Sequence, residues 1–324
     1  MLDNGRVAKD MAPNGVARII IKRIGGRVRK SVIKWYEVGM RRIDSARSDT
    51  KNDSGLVILV TGASSGIGRC VATRLSDKGH RVYGTSRHKS NNTSYKYQMI
   101  EMDVDLDDSV SRGIEHILSR ERRLDVVVNN AGYGLAGSIE DTTLSEAKAQ
   151  FETNFFGVMR VCRAALPAMR AQQSGYIVNI SSMAGRFSLA FQGLYSASKF
   201  AVEGFSEALC AEVRRLGIHV VLVEPGDFKT GFTSSRVRAE GANQNSPYYE
   251  KYAKLLTKME SCELRGPTPE RVAYVIEQII SDPSPRMRYL TGLFNQKFTA
   301  VVKHLMSHRV FEWLVLRYYG YFKR

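Results

Sequence analysis

The sequence predicts an α/β fold, a mostly parallel sheet with helices wound on both faces, and three observations carry that prediction. Leu56-Val57-Ile58-Leu59-Val60 is a short β-branched apolar run, as expected of a strand buried on both sides of a parallel sheet. A glycine-rich turn, Thr61 to Gly68, follows at once, and Arg69 to Lys78 then reads as a helix. The chain has 324 residues and is 43% hydrophobic, enough for one large α/β domain with a full core and extensions.

Strand, glycine turn and helix in that order form a phosphate cradle. Small residues let the backbone approach an anion, and the helix N-terminus supplies N–H donors and positive potential. The spacing here is Gly-x-x-x-Gly-x-Gly, not the commoner Gly-x-Gly-x-x-Gly. A tight turn without a ligand is the alternative, and the flanking strand and helix weigh against it.

Tyr195-Ser196-Ala197-Ser198-Lys199 puts a tyrosine and a lysine four residues apart, neighbours on one helix face. The ammonium is expected to lie beside the phenol and to pull its pKa below the ordinary ~10. A phenol tuned that way exchanges a proton near neutral pH. Alone, the pattern also reads as an amphipathic helix with a solvated lysine. Its weight comes from what precedes it.

Further elements follow in a fixed order. Asn129-Asn130-Ala131-Gly132 closes a strand at Leu124 to Val128, Asn154 lies in Phe151-Glu152-Thr153-Asn154, and Ser181-Ser182 closes a strand at Tyr176 to Ile180. Pro225-Gly226 comes next, with Thr230 four positions beyond the glycine. Together with the glycine turn and Tyr-x-x-x-Lys, these motifs resemble the short-chain dehydrogenase/reductase family from about Gly55 to about Asp282. The match holds in residue type, spacing and order.

The resemblance implies a Rossmann-like, doubly wound parallel sheet in a three-layer α/β/α sandwich. Its strands would be Val57–Val60, Val82–Thr85, Met99–Met102, Leu124–Val128, Tyr176–Ile180, Val220–Val223 and one near Arg288–Leu290. It also implies a catalytic tetrad of Asn154, Ser182, Tyr195 and Lys199. The family's usual spacing between serine and tyrosine selects Ser182 over Ser181. Tyr195 would be the general acid/base, Ser182 would hold the substrate oxygen, and Lys199 would bind the nicotinamide ribose. Asn154 would hold a water that links Lys199 to solvent. Hydride transfer to a ketone builds negative charge on oxygen, which is why donors are needed there.

For the cofactor, the resemblance assigns the cradle residues Gly62, Ser64, Ser65, Gly66, Ile67 and Gly68. Asp103 would sit beside the adenine, with Asn130, Ala131 and Gly132 further along. Pro225, Gly226 and Thr230 would close over the nicotinamide, which Tyr195 and Lys199 also reach. The second strand ends Thr85-Ser86-Arg87, with no acidic residue to bind the ribose hydroxyls, the usual mark of NAD preference. Arg87 can instead grip a 2′-phosphate through paired hydrogen bonds, with His88 and Lys89 adding positive potential. NADP(H) is therefore expected over NAD(H).

The net charge of +16 raises the question of nucleic acid, and its distribution answers much of it. Residues 1–53 hold 13 Lys/Arg against 6 Asp/Glu, and residues 283–324 hold 8 against 1. Most of the excess is therefore at the two ends, and neither carries a nucleic-acid recognition motif. The domain reading is an N-terminal basic extension and linker over 1–54, a catalytic domain over 55–282 and a C-terminal apolar and basic extension over 283–324.

The first extension mixes aliphatic and basic residues around Ala17–Ile24 and Lys30–Tyr36. It reads as a helix on an anionic membrane surface, an organelle presequence, or a tail without a partner. The second has apolar residues nearly all round Val310–Tyr319, too short to span a bilayer, which needs ~20 mostly apolar residues. It reads as a lid over an apolar pocket, a foot on a membrane, or a helix packed on the domain. His304, His308 and Glu312 recur at four-residue spacing, but the family chemistry needs no metal and none is expected. Four widely spaced cysteines and the lack of a secretory signal suit a reducing, cytoplasmic setting.

Within the domain, residues 231–267 form the expected substrate cap, with a helix over Ser246–Met259. Tyr248, Tyr249, Tyr252 and Leu255 there are expected to line an apolar pocket. The functional expectation is an NADP(H)-dependent carbonyl reductase or alcohol dehydrogenase acting on a lipophilic steroid, retinoid or long-chain acyl ketone or aldehyde. A homodimer or homotetramer is implied by the resemblance alone. The rival reading is a non-catalytic NADP(H)-binding regulator or scaffold on a membrane surface, which an intact tetrad disfavours.

Overall fold

The computed structural model describes residues 55–88, 95–293, 296, 303 and 307–318. The expectations for the N-terminal extension, Lys89 and His304 lie outside these residues.

The core begins where periodicity places it. In β1 (Val57–Val60), Val57 and Leu59 pack on one side of the sheet while Ile58 and Val60 pack on the other, all fully buried. Successive strand residues point to opposite faces, so only a strand covered twice has an all-apolar sequence. The remaining sheet strands are β2 (Arg81–Ser86), β3 (Gln98–Glu101), β4 (Val126–Asn129), β6 (Gly175–Ile180), β7 (Ile218–Pro225) and β9 (Arg288–Thr291). They lie in the order β3-β2-β1-β4-β6-β7-β9, and every pairing is parallel.

Helices cover both faces. On one side α2 (Asp107–Glu121), α4 (Gly157–Gln172) and α5 (Gly193–Val213) bury residues such as Ile117, Val161 and Leu209 against the sheet. On the other, α1 (Gly66–Asp77) and α7 (Glu270–Ser281) bury Val71, Leu75, Ile276 and Ile279. Arg74 of α1 also pairs with Glu277 of α7. This is the doubly wound three-layer sandwich.

The chain order reverses direction across the sheet between β1 and β4, where β1 leads outward to β2 and β3. In such sheets a crevice opens at the carboxyl ends of the strands at that point, and ligands bind there. A second, two-stranded parallel pair joins β5 (Leu135–Ala136) to β8 (Val237–Arg238). It forms a small core with Tyr252 and Leu256 of α6 (Tyr249–Leu264). The remaining helices are α3 (Leu144–Phe151) and α8 (His308–Tyr318).

Candidate active site

A cavity of about 900 Å³ opens at the carboxyl ends of the strands, and its walls hold most of the sequence-predicted residues. At one end is the glycine cradle, with Gly62, Ser64, Ser65, Gly66 and Ile67 on its surface. Gly62 has φ +64° and Gly66 φ +54°, a left-handed backbone that suits glycine. Gly68 is not on the surface. A Cβ there would overlap the Gly62 carbonyl, so its smallness lets α1 close against the turn.

Asn130 holds this turn in place. Its Nδ2 donates to the Thr61 and Gly62 carbonyls at 2.9 and 3.1 Å, while Thr61 Oγ1 accepts from Asn130 N and Ala131 N at 2.9 Å. The N-terminus of α1 is left free: Ser65, its cap, makes no side-chain capping bond, and no acidic residue lies in the first turn. Free N–H donors, positive helix potential and bare glycine backbone fit a pyrophosphate. Thr85, Ser86 and the exposed Arg87 continue the wall. Asp103 does not line the cavity. Its carboxylate accepts from Asp105 N at 3.1 Å, and Met102, Val104 and Asp105 lie on the wall instead.

The candidate catalytic side chains converge on α5. Tyr195 and Lys199 are both buried on its inner face, and both line the cavity. The helix is held by a chain of buried amides: Asn129 Nδ2 donates to Asn179 Oδ1, and Asn179 Nδ2 to Ser206 Oγ, each at 2.8 Å. Ser182 follows β6, accepts from Ala184 N at 3.1 Å and hydrogen-bonds the Tyr195 hydroxyl. Ser181 Oγ lies instead on the side of Gly185 and Glu203. The serine chosen by spacing is thus the one beside the tyrosine.

Asn154 lies in a π-helical turn, Glu152–Phe156, inserted between α3 and α4. That extra residue per turn points its amide inward, fully buried. Oδ1 accepts from Tyr133 N at 3.0 Å, and Nδ2 donates to Tyr133 O at 3.0 Å and to Ser198 Oγ at 3.2 Å. Asn154 lies behind the wall rather than on it. Gly132 separates it from Lys199: a Cβ there would lie 2.9 Å from Asn154 Oδ1 and 3.8 Å from Lys199 Nζ.

One electrostatic expectation is corrected. Tyr195 is pushed up to about 12, chiefly by burial, and only the Ser182 hydrogen bond and the Arg236 charge oppose that. Lys199 is not among the causes. Its Nζ donates to the Ile180 carbonyl at 2.9 Å and lies 6.0 Å from the Tyr195 ring centre. Burial lowers Lys199 to about 8, with Glu203 opposing. Desolvation outweighs the single charge pair that i, i+4 spacing suggests.

The far wall holds residues that motif reasoning missed. Phe187 and Phe311 meet edge to face, ring centres 5.4 Å apart, and pack with Met183, Leu189 and Val315. Phe311 and Val315 come from α8, so the C-terminal helix closes the pocket. Phe232 stands 5.6 Å from the Tyr195 ring. The cap helix contributes Met259 and Glu263, not Tyr248, Tyr249, Tyr252 or Leu255. Those tyrosines and Leu255 lie too early on α6. Tyr252 is packed against Leu135 and Phe191 in the small core, and Tyr248 bonds Glu140 at 2.6 Å. Pro225, Gly226 and Thr230 line the cavity as expected, with Asp227 between them.

Comparison with known proteins agrees with this geometry. The family model described as short chain dehydrogenase matches residues 56–241. The chain belongs to the short-chain dehydrogenase/reductase family. It is 43% identical over 264 residues to a 3-ketodihydrosphingosine reductase of Bacteroides thetaiotaomicron, covering 82% of this chain and 98% of the relative. It is 32% identical to retinol dehydrogenase 8 of Bos taurus, covering 77% of this chain and 85% of that one. A short-chain dehydrogenase from Streptomyces avermitilis superposes with a TM-score of 0.70 at 34% identity, over 79% of this chain and 95% of its own. The protein is thus an oxidoreductase with a nicotinamide dinucleotide fold.

Proposed function

We propose that this oxidoreductase reduces a ketone on a long-chain lipid, using NADPH. The observation that carries the reading is the continuity of one cavity: phosphate cradle and Arg87 at one end, Ser182 and Tyr195 beyond, and an apolar wall of Phe187, Leu189, Phe311 and Val315. The lipids in the relatives' names, a ketodihydrosphingosine and a retinol, point the same way.

When bound, the nicotinamide supplies the hydride. The chain's own residues do the rest. Ser182 hydrogen-bonds the carbonyl oxygen and holds it toward Tyr195 Oη, which gives up the proton as charge develops. Lys199 holds the ribose side of the site and keeps positive charge nearby. Asn154 fixes the loop Gly132-Tyr133 and orders the route by which the proton is replaced. Phe232, 5.6 Å from the Tyr195 ring, excludes water from the reacting atoms. Arg87, which follows a β2 end without acidic residues, would grip the 2′-phosphate.

Peripheral membrane contact belongs to this reading. Among the described residues no helix is long and apolar enough to cross a membrane. Yet the outer face of α8 exposes Val310 and Trp313 (46% and 48%) beside Arg309 and Arg317, a mix suited to a lipid headgroup layer.

The test is fluorescence titration with NADPH and NADH, followed by turnover on long-chain ketones. NADPH is expected to bind tighter, with Arg87→Ala removing roughly tenfold or more of its affinity and leaving NADH little changed. Tyr195→Phe is expected to abolish turnover while retaining nucleotide binding. Failure to bind either nucleotide would sink the reading.

A further inference from the structure

The wall beside Tyr195 holds a carboxylate that the reaction above does not use. Asp227 follows Pro225-Gly226 directly and lines the cavity with Phe232 and Glu263. Among the described residues its carboxylate accepts from a neutral donor, Gln296 Nε2, at 2.6 Å. Among the described residues, no ammonium or guanidinium lies within ion-pair distance of it. Glu263 differs. It is paired with Arg236 and accepts from Thr233 Oγ1 at 2.6 Å.

The charges therefore do not balance. The Arg236 guanidinium, its side chain 2% exposed, is engaged by Glu263 and, at 3.8 Å, by Glu260, which leaves Asp227 without an ion pair among the described residues. Burial, then the neighbouring Glu263, raise Asp227 to about 6 against the Gln296 hydrogen bond and the more distant Arg236 charge, so at neutral pH it is mostly ionised, with no cation in contact with it among the described residues. Asp227 and Glu263 line the same cavity as Tyr195, whose ring stands 5.6 Å from Phe232, and both carboxyl charges raise the Tyr195 phenol. A half-buried carboxylate without a cation is costly, and a bound ligand that brings one relieves that cost.

We propose that Asp227, flanked by Glu263, receives an ammonium group carried close to the reacting carbonyl, so that the substrate is a long-chain amino-ketone. The inference rests on the reductase reading and narrows its substrate class. The apolar side chains Phe187, Leu189, Phe311 and Val315 take the hydrocarbon, and Asp227 distinguishes a charged head from a neutral one. A ketosphingoid base has this composition: a long chain, a ketone and an amine on the adjacent carbon.

The experiment compares two substrates of equal chain length with NADPH, a 2-amino-3-ketone and the 3-ketone lacking the amine. The natural protein is expected to show a kcat/KM roughly tenfold or more higher for the amine, mostly through KM. Asp227→Asn, nearly isosteric and still able to accept from Gln296, is expected to bring that ratio close to one. The natural protein's preference needs no variant and stands even if Asp227→Asn folds poorly. Equal use of both ketones, or a ratio kept by Asp227→Asn, overturns the inference and leaves the reductase reading in place. Weaker NADPH binding by Asp227→Asn, with the ratio unchanged, reassigns Asp227 to the cofactor and also overturns it. Turnover of neither ketone, with NADPH bound, overturns the reductase reading and the inference together.

Discussion

Burial acts in opposite directions on the two charged partners of the catalytic helix, raising the Tyr195 phenol to about 12 and lowering the Lys199 ammonium to about 8. At neutral pH both therefore keep their protons. For a reduction that is the useful state, because the phenol is the proton donor and the ammonium the adjacent positive charge. The sign follows from the lysine: a cation with a depressed pKa becomes neutral as pH rises through that value. Reductive kcat/KM on a ketone that carries no amine is thus expected to be level from pH 6 to pH 7 and to decline through about 8. A pH–rate profile checks this, and a rate that stays level to pH 10 would contradict it. Tyr195→Phe should lower kcat by ~10²- to 10⁴-fold, the usual worth of a placed general acid.

The glycine turn and the first helix act as one element, and Gly68 is where they touch. A methyl group there would overlap the Gly62 carbonyl and crowd Asn130 Nδ2, both part of the hydrogen-bonded cradle. Gly68→Ala is expected to cost about 1–3 kcal/mol in stability, the range for overpacking a filled site, and to weaken nucleotide binding. Thermal melting with and without NADPH separates the two effects; an unchanged melting point and affinity would show that α1 can simply shift. This element was legible in the sequence because its chemistry is local: strand, turn and helix adjoin, and each glycine has a nearby reason. The strands were legible for the same reason, and β1 has the predicted bounds. Asn154 was found by motif, but the π turn that aims it leaves no mark in composition. The cap helix shows the limit of reading apolar positions. Tyr252 and Met259 share a face, yet seven residues at ~1.5 Å each separate them by about 10 Å along the axis. That distance carries Tyr252 to the small core and leaves Met259 and Glu263 at the cavity. Which end of a helix meets the site is a tertiary fact, and so is the unpaired charge at Asp227.

At the scale of the whole molecule, the substrate site is assembled from segments far apart in the chain. Tyr195 comes from α5, Phe232 and Glu263 from the cap region, and Phe311 and Val315 from α8, beyond the stretch matched by the family model. The cradle residues Gly62 to Ile67, Arg87 and Asn130 all lie within that stretch, so residues beyond it can shape the substrate end without altering the cradle. Phe311 is a buried residue of the closing helix, 7% exposed, seated on Phe187. Truncating it removes apolar surface from the lipid-facing wall without touching Ser182, Tyr195 or the cradle. A loss of about 60 Å² of contact at ~25 cal/mol per Å² is about 1.5 kcal/mol, or roughly tenfold in binding. Phe311→Ala is therefore expected to raise KM for a long-chain ketone about tenfold and to leave a short ketone nearly unaffected. Steady-state kinetics on the two substrates decides it. An equal loss on both would mean that α8 supports the catalytic residues themselves, and its role would be structural; a selective loss means that the helix is the part of the molecule that measures the length of the lipid.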